Sequence, residues 1–130
     1  MDWQAPAISR ALDHWLDEDI GRGDLTAVAL QGQQAAVHWL AKQSGRFCGG
    51  PLVQKLFERL DPACQVQLLV ADGEPVQPGQ RLLELEGPAT GLVAGERTAL
   101  NLAMRLSGIA TATGELVAQL DGTGVRLADT

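Results

Sequence analysis

Gly95-Glu96-Arg97-Thr98-Ala99-Leu100-Asn101-Leu102-Ala103-Met104-Arg105-Leu106-Ser107-Gly108-Ile109-Ala110-Thr111 is the stretch on which the reading of this chain turns. Ala99, Leu100, Ala103 and Leu106 supply one apolar face, so the spacing predicts a helix over Glu96 to Leu106. Ser107-Gly108 reads as a break, with a second helix following to Leu120. Arg97, Asn101 and Arg105 stand four apart, and successive members rotate by about 40° around a helix. They form one polar stripe with two arginines converging on one side. Guanidinium forks match carboxylate or phosphate oxygens, and a helix would hold their spacing rigidly. The same stripe also reads as an ordinary solvated face, with Glu96 at hand to neutralise one arginine, and the residues by themselves leave both readings open.

Working back toward the start, Ile8, Leu12, Trp15 and Leu16 recur at helical spacing and predict a helix from about 6 to 18. Glu18 to Asp24 then reads as an acidic, glycine-bearing loop, with Leu25 to Leu30 entering a further element. Ala35 to Ala41 reads as a strand, and Gly45 to Gly50 is rich in turn residues. Pro51 opens a helix whose face is Leu52, Val53, Leu56, Phe57 and Leu60, closed by Asp61-Pro62. Cys64 to Val70 alternates as a half-buried strand, Asp72-Gly73 and Pro78-Gly79 make turns, and Arg81 to Glu86 is another strand. Beyond the long helical region, Asp121 to Gly124 is a turn and Val125 to Ala128 a short strand.

The chain has 130 residues, 45% hydrophobic and 20% charged, which suits one globular domain rather than a disordered or fibrous chain. Its net charge of −6 opposes a general nucleic-acid or anionic-membrane surface, so neither partner is expected. Six of the acids fall within the first 24 residues, leaving the remainder close to neutral and open to a local anion site. No apolar run reaches membrane-spanning length, and Met1-Asp2-Trp3-Gln4 does not resemble a signal peptide, so a cytoplasmic address is expected. Cys48 and Cys64 lack disulfide-framework or metal-ligand spacing and read as buried free thiols.

Other chemistries find little support. Glu18, Asp19 and Asp24 are better explained by capping and solubility than by a cation site, so no metal ligand is assigned. Gly45 to Gly50 lacks the spacing of a phosphate-binding loop, and no nucleophile stands with a base. Arg22-Gly23-Asp24 is a chance tripeptide. Val70 to Gly87 looks like part of a biotinyl or lipoyl carrier module, but Lys42 and Lys55 both lie outside it, which excludes carrier function.

Three segments together resemble the amino-terminal domain of quinolinate phosphoribosyltransferase, the nicotinate-nucleotide pyrophosphorylase (carboxylating) of NAD biosynthesis. They are Glu18 to Thr26, Gly95 to Asn101, and Arg105 to Thr111, in the family's order and spacing. The resemblance implies an α+β fold. An amino-terminal α/β sandwich with a mainly antiparallel, barrel-sandwich-like sheet would span 1–108, and 109–130 would begin a truncated α/β barrel with its first helix and strand. It implies transfer of phosphoribosyl from phosphoribosyl pyrophosphate to quinolinate with Mg²⁺, releasing pyrophosphate and CO₂ and leaving nicotinate mononucleotide. The Mg²⁺ ligands are expected outside this chain.

The resemblance also implies a homodimer, or a higher homo-oligomer, in which each sandwich covers its partner's barrel. Arg97 matches the family arginine that reaches across the dimer to a quinolinate carboxylate, Arg105 is a helper on the same face, and Thr130 sits at the lip of the barrel site. A closed barrel needs on the order of 200 residues, so the 130 residues alone are expected to be inactive, with apolar surface exposed over Ile109 to Leu127. A molybdenum-associated paralog shares the Ser-Gly-Ile-Ala-Thr segment, though Glu96-Arg97-Thr98 favours the quinolinate enzyme. A non-catalytic dimerisation or binding module is the alternative from another class.

Overall fold

The computed structural model describes residues 2–21 and 29–128. Arg22 to Val28, with the element expected to start at Leu25, lie outside them, as do Asp129 and Thr130. The described elements are, in order, α1 (Pro6–Ile20), β1 (Gln34–Leu40), β2 (Gly45–Arg46), α2 (Gly50–Leu60), β3 (Gln65–Leu68), β4 (Pro75–Val76), β5 (Arg81–Pro88) and α3 (Ala89–Gln119). The architecture is α+β with antiparallel sheets, as expected.

β5 is the central strand of a three-stranded antiparallel sheet in the order β1-β5-β3. Direct partners share a face, so Val37, Trp39, Leu83, Leu85, Val66 and Leu68 form one side, and His38, Glu84, Glu86, Gln65 and Gln67 the other. The first side packs on α2 and α3, where Leu83, Leu85, Leu56, Phe57 and Val53 are almost fully buried, as is Leu12 of α1. Each contributes about 1.5–3 kcal/mol relative to exposure. A two-stranded ladder of β2 with β4, pairing Gly45 with Val76 and Arg46 with Pro75, was not expected from the sequence. At two residues per strand it is too short to show a period.

The largest correction concerns the end of the chain. Ser107-Gly108 does not break a helix: α3 is one 31-residue helix, and it starts at Ala89 rather than Glu96. Glycine in a helix interior costs about 1 kcal/mol, and the tertiary contacts of α3 outweigh it. Thr111 Oγ1 accepts from the backbone N–H of Arg46 at 2.8 Å, and Ser107 Oγ accepts from that of Cys48 at 2.9 Å. Val125 to Ala128 is extended chain and not a strand, because no neighbour among the described residues pairs with it. α1 also continues to Ile20, two residues beyond the expected stop, and Gly21 closes it with its N–H donating to Asp17 O at 3.0 Å.

α1 is fastened to α2 by polar contacts at its edge. The Arg59 guanidinium pairs with the Asp13 carboxylate through Nε–Oδ1 and through Nη2–Oδ2 at 2.8 Å, which holds that carboxyl below its ordinary range. Lys55 Nζ donates to Trp3 O at 3.1 Å and to Gln4 Oε1 at 3.0 Å. Among the described residues no helix is long and apolar enough to cross a membrane.

α2 and α3 cross so closely at Gly95 that a Cβ there would lie 2.7 Å from both Leu60 Cδ1 and Phe57 Cε1. A Gly95→Val substitution is therefore expected to destabilise the fold by about 1–3 kcal/mol. Gly108→Ala, whose Cβ meets nothing within 4 Å, is expected to stabilise it by about 0.4–1 kcal/mol. Urea titration followed by circular dichroism measures both, and an equal response would contradict the close crossing.

Candidate functional site

α1 and α3 enclose an open groove. One wall is Trp3, Ile8, Trp15, Glu18 and Asp19, and the other is Thr98, Asn101, Leu102, Met104, Arg105, Leu106 and Ile109, with Leu52 at the base. The stripe read from the sequence is therefore gathered on one side of the molecule. Asn101 and Arg105 line the groove, both exposed. Arg97 stands at its end with 79% of its side chain exposed. Along the helix axis Arg97 and Arg105 are about 12 Å apart, too far to grip one small carboxylate together. Thr130 lies outside the described residues.

The sequence offered Glu96 as a neutralising acid for one arginine of the stripe, and the acid that Arg97 meets is Asp19. Arg97 Nη1 donates to Asp19 Oδ1 at 3.4 Å, while Thr98 Oγ1 donates to Asp19 Oδ2 at 3.0 Å. Asp19 was read as a solubility residue, and Thr98 was not singled out at all. No local signal joins positions 79 residues apart.

Among the described residues the long contact at Nη1 is the one side-chain bond that Arg97 makes. A guanidinium carries five N–H donors in a planar fork, so Nε and Nη2 remain able to meet a planar carboxylate side-on. Among the described residues no three His, Cys, Asp or Glu side chains gather. Glu18 and Asp19 are neighbours on α1, and Asp19 is already engaged by Thr98 and Arg97. This donor set does not fit Mg²⁺, so no metal ligand is assigned in this chain.

The Ser107 to Thr111 segment has a different task. Ser107 Oγ accepts from the N–H of Cys48 and donates to its carbonyl at 3.3 Å, and Thr111 Oγ1 donates to Ser107 O at 2.7 Å. Asp72 Oδ1 accepts from the N–H groups of Gly49 and Gly50 at 2.8 and 3.0 Å, which caps α2 from a distant loop. Both thiols are free, Cys64 buried and Cys48 half-buried. Burial pushes each up from its ordinary value, with Asp72 adding to the effect at Cys48 and Asp61 at Cys64. Neither is an activated nucleophile. A further open cleft, near 430 Å³, lies where the end of α3 meets Gly122 to Leu127.

Comparison with known proteins gives the family and agrees with the fold. The family model for the quinolinate phosphoribosyl transferase N-terminal domain matches residues 24–107. A probable nicotinate-nucleotide pyrophosphorylase (carboxylating) of Bacillus subtilis is 41% identical over 124 residues, covering 95% of this chain and 43% of that protein. Its counterpart in Synechocystis is 39% identical over 120 residues, covering 92% and 41%. The structure of the nicotinate-nucleotide pyrophosphorylase from Francisella tularensis superposes with a TM-score of 0.84 at 30% identity, covering 88% of this chain and 42% of that one. The chain thus spans about two fifths of the length of these relatives.

Ser107→Ala would leave the Cys48 N–H without its acceptor, at a cost of about 1–3 kcal/mol. The expected results are a lower urea midpoint and faster reaction of Cys48 with a thiol reagent than in the unsubstituted chain. An unchanged rate would show that this hydroxyl does not hold the loop.

Proposed function

We propose, because this chain belongs to the quinolinate phosphoribosyltransferase family, that it serves a nicotinate-nucleotide pyrophosphorylase of NAD biosynthesis by holding quinolinate through Arg97. The reaction joins quinolinate to phosphoribosyl pyrophosphate and releases pyrophosphate and CO₂, leaving nicotinate mononucleotide. The observation that carries the proposal is an exposed guanidinium, borne on the solvent side of a long helix and engaged, among the described residues, at one nitrogen. Quinolinate offers two adjacent carboxylates. A side-on Arg97 takes one of them and fixes the ring before phosphoribosyl transfer, converting binding into orientation.

Arg105 enters the proposal as a second, weaker contact from the groove wall, and Thr130 as a contact at the lip of the site. Mg²⁺ belongs with phosphoribosyl pyrophosphate, held by groups outside this chain, and no step is derived through it. We divide the chain into a sandwich over 1–108 and the start of a barrel over 109–130. The support is a change in burial along α3. Leu92, Thr98, Ala99 and Ala103 are buried, whereas Ile109, Leu116 and Val117 are exposed. The two free thiols suit a reducing, cytoplasmic workplace.

The apolar surface expected over Ile109 to Leu127 is present. Met104 is 67% exposed and Ile109 59%, and Leu116, Val117, Val125 and Leu127 are all exposed with them. In the proposal this surface meets barrel, from the same chain or from a homodimer partner whose site Arg97 completes.

Arg97→Ala in the full-length protein carrying this chain is expected to raise the quinolinate KM roughly ten- to a hundredfold, with unchanged circular dichroism. Unaltered kinetics would reduce the arginine stripe to a solvated face. The 130-residue chain alone is expected to self-associate with rising concentration in sedimentation velocity and to produce no nicotinate mononucleotide. A monodisperse monomer that binds no hydrophobic dye would contradict the first expectation, and measurable turnover the second.

A further inference from the structure

We infer that Asp19 is a positioning residue for Arg97, and that the buried hydroxyl of Thr98 holds Asp19 in place for that purpose; the inference rests on the proposed substrate role of Arg97. Thr98 is the one buried polar residue among the described residues, 7% exposed. Its hydroxyl donates to Asp19 Oδ2 at 3.0 Å, so its burial is compensated by one specific partner. Asp19 is itself mostly covered, with 21% of its side chain exposed, and its remaining oxygen, Oδ1, faces Arg97 Nη1 at 3.4 Å.

Two consecutive residues of α3 therefore share one carboxylate. Successive helical residues point about 100° apart, so Thr98 turns inward while Arg97 points out past the rim. Asp19 spans that angle. An exposed arginine samples many rotamers, and ordering it on a substrate costs binding free energy. A carboxylate fastened from below removes part of that cost beforehand while occupying a single donor. The last turn of α1 thereby sets the direction in which Arg97 leaves the molecule. This also accounts for the extension of α1 past Glu18.

Two variants divide the arrangement. Asp19→Asn keeps an oxygen for Thr98 but removes the charge facing Arg97, and Thr98→Val removes the hydroxyl at nearly constant volume. In the full-length protein carrying this chain, each is expected to raise the quinolinate KM roughly three- to tenfold with kcat within about twofold of the parent. Asp19→Asn is expected to add nothing in an Arg97→Ala background. In ¹⁵N relaxation measurements on the 130-residue chain, the Arg97 Nε–Hε signal, assigned by its loss in Arg97→Ala, is expected to be ordered. It should become as mobile as a free surface arginine in both variants, while circular dichroism stays the same.

Several outcomes overturn the inference. Equal mobility of Arg97 with and without the Asp19 charge removes the physical basis. A lower KM in Asp19→Asn makes Asp19 a competitor for the guanidinium, and a full additional loss in the Arg97→Ala background makes its effect one of general structure. If Arg97→Ala leaves the KM unchanged, the substrate role of Arg97 fails, and any order seen at Nε then reports an ion pair without the purpose assigned to it.

Discussion

The rest of the structure depends on how near α3 lies to α2. Hydrogen is the only group that fits at position 95, where Leu60, Phe57 and Leu56 of α2 press against the helix. That contact buries Phe57 and Leu56 almost completely and sets the height of α3 above the sheet. A helix of 31 residues is about 46 Å long, whereas the eight residues of β5 span about 27 Å. α3 must therefore run past the sheet, and its second half carries apolar residues into the open. The exposed surface over Ile109, Leu116 and Val117 follows from a rigid helix anchored at one end.

The second constraint is the polar demand of a loop crossing beneath α3. Arg46, Cys48, Gly49 and Gly50 all present backbone N–H groups that no strand or helix satisfies, and an unpartnered buried amide costs about 1–3 kcal/mol. Three side chains from distant parts of the chain answer them: Thr111, Ser107 and Asp72. Gly49 takes a φ of 104° in that turn, and a Cβ there would lie 3.0 Å from Leu106 Cδ1. The two hydroxyl residues of the distinctive Ser107 to Thr111 segment thus act as latches between α3 and the loop. The family resemblance and the packing rest partly on the same atoms.

Periodicity carried β3, β5 and α2 because each buries one face only. Val66 and Leu68 alternate with Gln65 and Gln67, and Leu83 and Leu85 with Glu84 and Glu86. It failed where tertiary contact overrides local preference. Ser107 and Gly108 look like a stop, yet the hydroxyl of Ser107 is spent on Cys48 and the glycine is carried by the helix around it. The start of α3 was missed because Gly91 and Gly95 dilute the apolar pattern, and both are there for close approach to Asp61, Cys64 and α2. Val125 to Ala128 has strand-like composition without a strand to pair with among the described residues. At the site, the arginine stripe was legible from spacing alone, whereas Asp19 and Thr98 were not, because their meeting depends on the angle between two helices.

An acidic chain proposed to bind an anion is no contradiction once range is considered. Charges separated by more than about 8–10 Å are largely screened at physiological salt, so net charge alone does not decide what the tip of Arg97 can hold. At contact distance a guanidinium and a carboxylate attract far more strongly than the screened background repels. What matters is therefore how many acids touch Arg97, and among the described residues Asp19 touches it, at a single nitrogen. A second carboxylate in contact would fill the fork and cancel its purpose, while none would leave the side chain undirected. One acid, itself fastened by Thr98, satisfies both demands, and the net charge of −6 constrains partners at long range without deciding what the rim of the groove can hold.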